Sequence, residues 1–389
     1  MKKIVLKNGL TLTIVRSASG NPCSIAVTVG VGHLNESALG LAAVGEAVLL
    51  QQLENTVAIQ GGTITSFLMG AYQEQFEALL KNVSGVLKNP DLSQKLIDKA
   101  AQNIAEHTRD LAPMPERQWK LFYKHLAFGN AKLVWDTEAY VNSVKTFKTE
   151  DLEALIDTYF TGKNLVVGIS SSLPFKEIRA LAEKYLGDIP AGRKQKFEPV
   201  EYTGGFGELQ KIGNYQMIAL GWDVSNLYNV AEANVLMSML SGRLERALAG
   251  TEATHTVKIA GYYGARTLRV SIILKNGESI NPYIDILCAN IVRLKNSLAS
   301  DRRMETSRQR AAAEKLAQFS QPQNAAVEAA WQELGRAGMY DIDERINATF
   351  LVSARNVCEI AQDIFNSTPT IVVSGDDHYD EEGIRAKLV

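Results

Sequence analysis

One succession of elements occurs twice along this chain, and that repetition narrows the possible folds more than any single motif does. Ile4–Leu6 and Leu10–Val15 alternate apolar and polar residues around Asn8-Gly9, the pattern of a hairpin. A strand follows at Ser24–Gly30, a helix at Ala38–Gln52, and strands at Thr63–Met69 and Gln73–Leu79. Helical spacing then dominates over 83–88, 92–109, 115–127 and 149–159, before a strand at Leu165–Ile169 and a helix at Pro174–Tyr185. Ala191–Glu208 is polar, basic and glycine-rich, as linkers are.

After it the order begins again. Gln216–Trp222 reads as a strand and Val230–Leu240 as a helix, with strands at Val257–Tyr263 and Thr267–Leu274. Helices are expected over 282–299, 304–319 and 324–336, then a strand at Ile371–Ser374 and a short helix at Glu381–Leu388. A repeat of about 200 residues predicts an internal duplication. The fold class expected is α+β, two homologous domains, each a mixed or antiparallel sheet flanked by helices. The boundaries are 1–192 for the first domain, 193–208 for the linker and 209–389 for the second. A single larger α/β domain is the alternative.

Composition excludes several classes. Hydrophobic residues make up 46% and charged residues 22% of the 389, which is globular composition and not that of a disordered chain. A formal charge of −2 provides no overall basic excess for nucleic acid. The local clusters at Arg302-Arg303 and Arg308–Lys315 read as a solvated helix face. Cys23, Cys288 and Cys358 lie too far apart in sequence for a CxxC pair or a disulfide framework, and read as small apolar residues of a reducing compartment. No run approaches the roughly 18 apolar residues that cross a bilayer. The opening MKKIVLKNGLTLTIVR reads as a first strand, not as a signal or transit peptide, so a targeting segment is absent or already removed.

The chemistry-bearing residues are sparse. His33, His107, His125, His255 and His378 are dispersed, none paired at metal spacing, and read as surface or hydrogen-bonded residues. There is no GxSxG elbow and no GxxxxGK[ST] loop. Gly204-Gly205-Phe206-Gly207 lacks the strand and helix of a dinucleotide site and reads as linker.

One stretch stands apart. GLAAVGEAVLLQ, Gly40–Gln51, is an apolar helix carrying a lone acid, Glu46. Together with LKNGLTLTIV and the preceding GHLNESAL, it resembles the N-terminus of the pitrilysin/insulinase metallopeptidase family. That family includes the mitochondrial processing peptidase and the two core subunits of ubiquinol–cytochrome c reductase. In its active members this helix carries His-x-x-Glu-His, two zinc-binding imidazoles with a general-base glutamate between them. Positions i and i+4 share a helical face, so both rings reach one ion.

Laid onto that pattern, the two ligand positions fall at Ala43 and Ala47, and the general-base position at Glu46. Both imidazoles have become methyl groups. A third ligand would come from helix 92–109, which offers Asp98 and Glu106. Catalytic zinc takes three protein ligands and an open position, so the resemblance implies a site that holds no metal and a chain without catalytic residues or cofactor. Glu46 then reads as a relic of the motif or as a helix residue with a local hydrogen-bond partner; left unpaired and buried, its carboxylate would have a raised pKa. The Arg and Tyr with which active members hold the substrate peptide map to SGRLERALAGTEATHTVKIAGYYG. Arg243 and Arg246 are candidates there, the Tyr is replaced near Thr254-His255, and Tyr262 and Tyr263 should pack in the sheet. Met237–Gly242 is too short for the glycine-rich loop of the processing peptidase's α subunit.

Asn164–Gly192 also resembles the end of the first domain of the second core subunit. For a non-catalytic member of this kind the resemblance implies a structural role without a redox centre. Its partners would be a core protein 1-like subunit, cytochrome b, cytochrome c1 and the Rieske protein of complex III. It would sit peripherally on the matrix side of the mitochondrial inner membrane, with no nucleic acid bound. An inactive partner of a two-chain zinc peptidase, in the bacterial cytoplasm or periplasm, is the alternative. An active enzyme would reveal itself by chelator-sensitive peptidase activity of the isolated chain.

Overall fold

The computed structural model describes residues 1–18, 22–129, 134–196, 200–210, 215–262, 265–275, 278–335, 341–376 and 378–389. In chain order the elements begin with β1 (Lys2–Val5), β2 (Thr11–Arg16), β3 (Cys23–Val29), α1 (Leu41–Leu50), β4 (Thr56–Gln60) and β5 (Thr65–Ala71). Helices α2 (Phe76–Lys88), α3 (Gln94–Leu111), α4 (Pro115–Phe128), α5 (Thr137–Val144) and α6 (Thr149–Tyr159) follow, then β6 (Leu165–Ser171) and α7 (Phe175–Leu186). The chain continues through β7 (Gly205–Gln210), β8 (Gln216–Asp223), α8 (Val230–Ala247), β9 (Thr254–Tyr262) and β10 (Ala265–Leu274). It ends with α9 (Asn281–Asn296), α10 (Asp301–Ser320), α11 (Pro322–Leu334), α12 (Ile342–Leu351), α13 (Ala354–Phe365), β11 (Thr370–Gly375) and α14 (Glu381–Ala386).

The architecture is α+β, with two mixed sheets flanked by helices, and the sheets repeat one topology. The first runs β1-β2-β6-β3-β5-β4 and the second β7-β11-β8-β10-β9. In the first, β2 and β6 pair parallel while β6–β3, β3–β5 and β5–β4 pair antiparallel. In the second, β7 and β11 pair parallel while β11–β8, β8–β10 and β10–β9 pair antiparallel. The two sheets therefore differ by the added edge strand β1. That strand turns into β2 at Gly9, whose φ of 87° suits glycine. Asn8 fixes the turn by donating to the carbonyls of Leu186 and Ile189 at 2.9 and 3.0 Å.

Two compact units result, and neither is contiguous in sequence. One comprises 1–111, 135–197 and 317–342; the other comprises 112–134, 198–316 and 343–389. The division read from the sequence follows the order of elements, whereas packing gives each unit a helix from the other stretch of chain. In the first unit α11 lies across β6, β3 and β2. Its face is small: Ala326 and Val327 meet Ala26, and Ala330 and Leu334 meet Val166. Gly168 on β6 makes the close approach possible, since a β-carbon there would stand 1.9 Å from the Ala326 carbonyl oxygen. Trp331 Nε1 donates to Ser66 Oγ at 2.8 Å, and that hydroxyl shares a 2.9 Å hydrogen bond with Thr28 Oγ1.

In the second unit α4 takes the corresponding place against β11 and β7. Phe122 and Leu126 fill the space above Gly207, and the Tyr123 hydroxyl fills the space above Gly221. The Arg269 guanidinium lies over the Trp119 and Tyr123 rings, 4.8 and 5.4 Å from their centroids.

The sequence reading departs from this structure in several places. Gln73–Leu79 is not a strand: a 3-10 turn at Gln73–Gln75 leads into α2, because Phe76, Leu79, Leu80 and Val83 recur at helical spacing and are buried. The glycines at 204–207 are not linker. Gly205–Gln210 is strand β7, paired parallel with β11, and its glycines make room for α4. Strand β4 and helices α5, α12 and α13 were not expected. Tyr263, and the end of helix 324–336 at Arg336, lie outside the described residues.

Candidate functional site

The helix bearing the degenerate motif is held in place by residues that precede it. Glu36, itself buried, accepts from the Gly40 and Ala42 amides through its two carboxylate oxygens, each at 2.8 Å. It thereby satisfies two of the amides that a helix start leaves unpaired. Gly40 has φ 86°, and a β-carbon on it would stand 2.6 Å from Val144 Cγ1. Asn35 closes the loop, accepting from the Gly32 amide at 2.8 Å and donating to the Gly30 carbonyl at 3.1 Å. Tyr159 Oη donates to the Asn35 carbonyl at 2.6 Å, and Ser143 Oγ to that of Leu39 at 2.7 Å. Sequence reasoning missed Glu36, whose only signal was an acid four residues before a glycine that opens a helix.

Within α1 the buried residues are Leu41, Ala42, Val44, Gly45, Val48 and Leu49. Gly45 admits Leu155 of α6, whose Cδ2 would be 2.4 Å from a β-carbon. Ala43, Glu46 and Ala47 fall together on the other face and are half-buried, as their i, i+3, i+4 spacing requires. The helix thus presents all three motif positions on one face, but two of them as methyls. Glu46 is the one polar group among the three. Its Oε2 is buried with no hydrogen-bond partner, and burial pushes the carboxyl from 4.5 up to about 7.

These residues do not fit a zinc ion. A methyl group offers no lone pair, and a single carboxylate falls short of the three protein ligands zinc catalysis uses. Asp98 and Glu106 on α3 are exposed. Asp98 accepts from Gln94 Nε2 at 2.8 Å, and Glu106 accepts from Gln102. The buried face of α3 is instead Ile97, Ala100, Ala101, Ala105 and Thr108. Among the described residues no group of three His, Cys, Asp or Glu side chains could hold a metal ion. No step of peptide hydrolysis is assigned to these side chains.

The second unit holds the remaining candidates. Arg243 on α8 is buried with its Nε unpartnered, and Arg246 one turn on is exposed. The strand position where the family's Tyr is replaced carries His255, whose Nε2 lies 3.2 Å from Ser241 Oγ. Desolvation lowers the pKa of that imidazole. Of the other histidines, His33 is buried with its ring 5.5 Å from that of Trp135, and His107, His125 and His378 are exposed. All three cysteines are free, Cys23 and Cys288 buried and Cys358 half-buried. An open depression of about 430 Å³ in this unit, lined by Cys288, Arg293 and Lys387 among others, includes none of the motif residues.

With this geometry established, similarity to known proteins can be read. Residues 146–310 match the M16 peptidase inactive domain. The fold is M16-like. The resemblance to pitrilysin/insulinase-type peptidases expected from α1 and the duplicated layout is borne out. An uncharacterized zinc protease of Rickettsia bellii is 20% identical over 400 residues, covering 95% of this chain and 96% of that protein. A chain of complex III2 from Candida albicans superposes with a TM-score of 0.88 at 14% identity, covering 100% of this chain and 99% of its own. A protease from Helicobacter pylori superposes with a TM-score of 0.84 at 14% identity, covering 96% and 99%. The M16-like scaffold is thus shared by a respiratory-complex chain and by proteases.

Proposed function

We propose that the chain is a non-catalytic, core protein 2-like subunit of the cytochrome b-c1 complex, supporting ubiquinol to cytochrome c electron transfer without carrying a redox centre. One observation carries this reading: methyl groups stand at both positions where the M16-type helix needs metal-binding nitrogens, leaving Glu46 without a metal-bound water to deprotonate. The full-length likeness to a complex III2 chain supports it. The partners would be a core protein 1-like subunit, cytochrome b, cytochrome c1 and the Rieske protein, at the matrix side of the mitochondrial inner membrane. Such a subunit works by the surfaces it buries, of order 2,000 Å² or more for an obligate interface. Its attachment would be peripheral; among the described residues no helix is long and apolar enough to cross a membrane. On this reading the halves read from the sequence as 1–192 and 209–389 are homologous peptidase-like repeats, the second extended back to include β7 from Gly205 and joined through 193–204.

A second reading rests on the likeness to a Helicobacter pylori protease and to a Rickettsia bellii zinc protease. It makes the chain the inactive partner in a two-chain zinc peptidase. Purification of the native assembly distinguishes the two. Haem absorbance and a core protein 1-like chain co-migrating with this one are expected. A haem-free heterodimer with one zinc, whose other chain retains both histidines, would overturn the first reading in favour of the second.

A further inference from the structure

We infer that Arg243, Arg246, Arg293 and Arg303 of the second unit form a binding site for a phosphate-class oxyanion. Arg243 is the anchor. It is 6% exposed, among the described residues no carboxylate or carbonyl accepts from it, and its Nε is buried without a partner. An arginine does not shed its proton in proteins, so a cation is held in a largely dry place. An uncompensated buried charge is costly, and native structures offset it with a counter-ion.

Among the described residues no acid pairs with Arg243. The charges that bear on Arg243 are Arg303, Arg293 and Arg246, all of its own sign, and with desolvation they hold its pKa down at about 10. These three side chains are exposed, and among the described residues none of them has an ion pair. They reach the site from different elements: Arg246 from α8, Arg293 from the last turn of α9 and Arg303 from the first turn of α10. Arg246 folds back along its helix beside Arg310: a β-carbon on Gly242 would be 3.9 Å from Arg246 Nη1 and 3.8 Å from Arg310 Nη1. Nearby acids are engaged elsewhere. Glu245 pairs with Arg310 at 2.9 Å, and Glu305 lies 3.7 Å from Arg308 and accepts from Gln309 at 2.6 Å. Asp301, at the start of α10, is exposed and is not among the charges that act on Arg243.

One buried guanidinium and three at exposed positions within its electrostatic reach offer several planar forks. A carboxylate, with one charge and two oxygens, satisfies a single fork. A phosphate monoester brings a charge of about −1.5 to −2 and three strong acceptors, enough to serve several forks at once. The phosphate could belong to a free molecule or to a lipid headgroup; the site chemistry is the same.

The full chain, with whatever subunits copurify, is titrated with inorganic phosphate against chloride at matched ionic strength. Saturable binding is expected. Arg246→Gln and Arg303→Gln, both at exposed positions, should each weaken it about tenfold or more, the size of one lost charge-assisted hydrogen bond. Arg355→Gln on α13 should leave it unchanged. Phosphate should raise the melting temperature of the parent chain and not that of Arg243→Met. Co-sedimentation with phosphatidylglycerol but not phosphatidylcholine vesicles, lost in Arg303→Gln, assigns the anion to a headgroup. Phosphate binding without co-sedimentation assigns it to a free molecule. The inference is overturned if neither probe binds, or if Arg246→Gln and Arg303→Gln bind as the parent does or no worse than Arg355→Gln.

Discussion

Glu46→Gln should leave the protein's stability less dependent on pH. In the folded chain burial holds the Glu46 carboxyl at about 7, against 4.5 for an unperturbed glutamate. Between those values the folded state keeps a proton that the unfolded chain has released. Stability therefore falls as pH rises through this window, is unaffected by this group below 4.5, and levels off above about 7. At 1.36 kcal/mol per pH unit the whole loss is roughly 3 kcal/mol. Glutamine has nearly the same shape and does not titrate. Its amide still loses water on burial, a cost of about 1–3 kcal/mol, but that cost is the same at every pH. The quantity to follow is the stability difference between variant and parent, from urea unfolding monitored by circular dichroism at a series of pH values. It should move by about 3 kcal/mol in favour of the variant between pH 4 and pH 8, with most of the change between 4.5 and 7. A flat difference would mean that Glu46 titrates in the folded chain as it does in the unfolded one, and a variant that loses ground as pH rises would mean that Glu46 is ionised and partnered in the native protein. The account of α1 as a helix with an orphaned acid would then fail.

Other substitutions probe the same scaffold. Gly168→Ala places a methyl group against the Ala326 carbonyl and should cost about 1–3 kcal/mol or more by thermal unfolding. Gly85→Ala, in α2 with nothing within 4 Å of the new carbon, should instead gain about 0.5–1 kcal/mol; equal effects at the two sites would refute the packing assigned to α11. Glu36→Ala removes the acceptor for two helix-start amides and should destabilise the first unit by about 1.5–3 kcal/mol, read in urea. The double variant Ala43→His, Ala47→His should show no chelator-sensitive peptidase activity, because Asp98 and Glu106 on α3 are exposed and hydrogen-bonded along their own helix. Chelator-sensitive cleavage by that variant would show that a third ligand is available after all.

Local pattern carried much of the fold. The hairpin at Asn8-Gly9, the strands β3, β8 and β10, and the helices α1, α3 and α8 are legible because each either alternates or repeats at helical spacing. Gln73–Leu79 was misread because QEQFEAL alternates briefly before Phe76, Leu79, Leu80 and Val83 declare a helix. β7 was hidden by its glycines, which serve the helix above it and not the strand itself. The non-contiguous units were hidden for a related reason. Nothing local marks α4 or α11 as a helix that packs away from its sequence neighbours, since both are ordinary amphipathic or alanine-rich segments.

At the candidate site, what was legible differs in kind. The positions Ala43, Glu46 and Ala47 could be placed on one face from their spacing alone, and the sign of the Glu46 pKa follows from its apolar neighbours. Glu36 escaped because an acid four residues before a helix-opening glycine makes no distinctive pattern, and the Arg243 cluster because it depends on groups from different elements. A run such as Arg302-Arg303 reads as solvated surface until the charge of Arg303 is found to bear on the buried Arg243. The contrast bears on function. On α1 methyl groups stand at Ala43 and Ala47, while the loop before the helix is held by hydrogen bonds through Asn35, Glu36 and Tyr159. On the proposed reading, a helix start secured by a buried carboxylate would serve the shape of the first unit and the surfaces it offers to other chains.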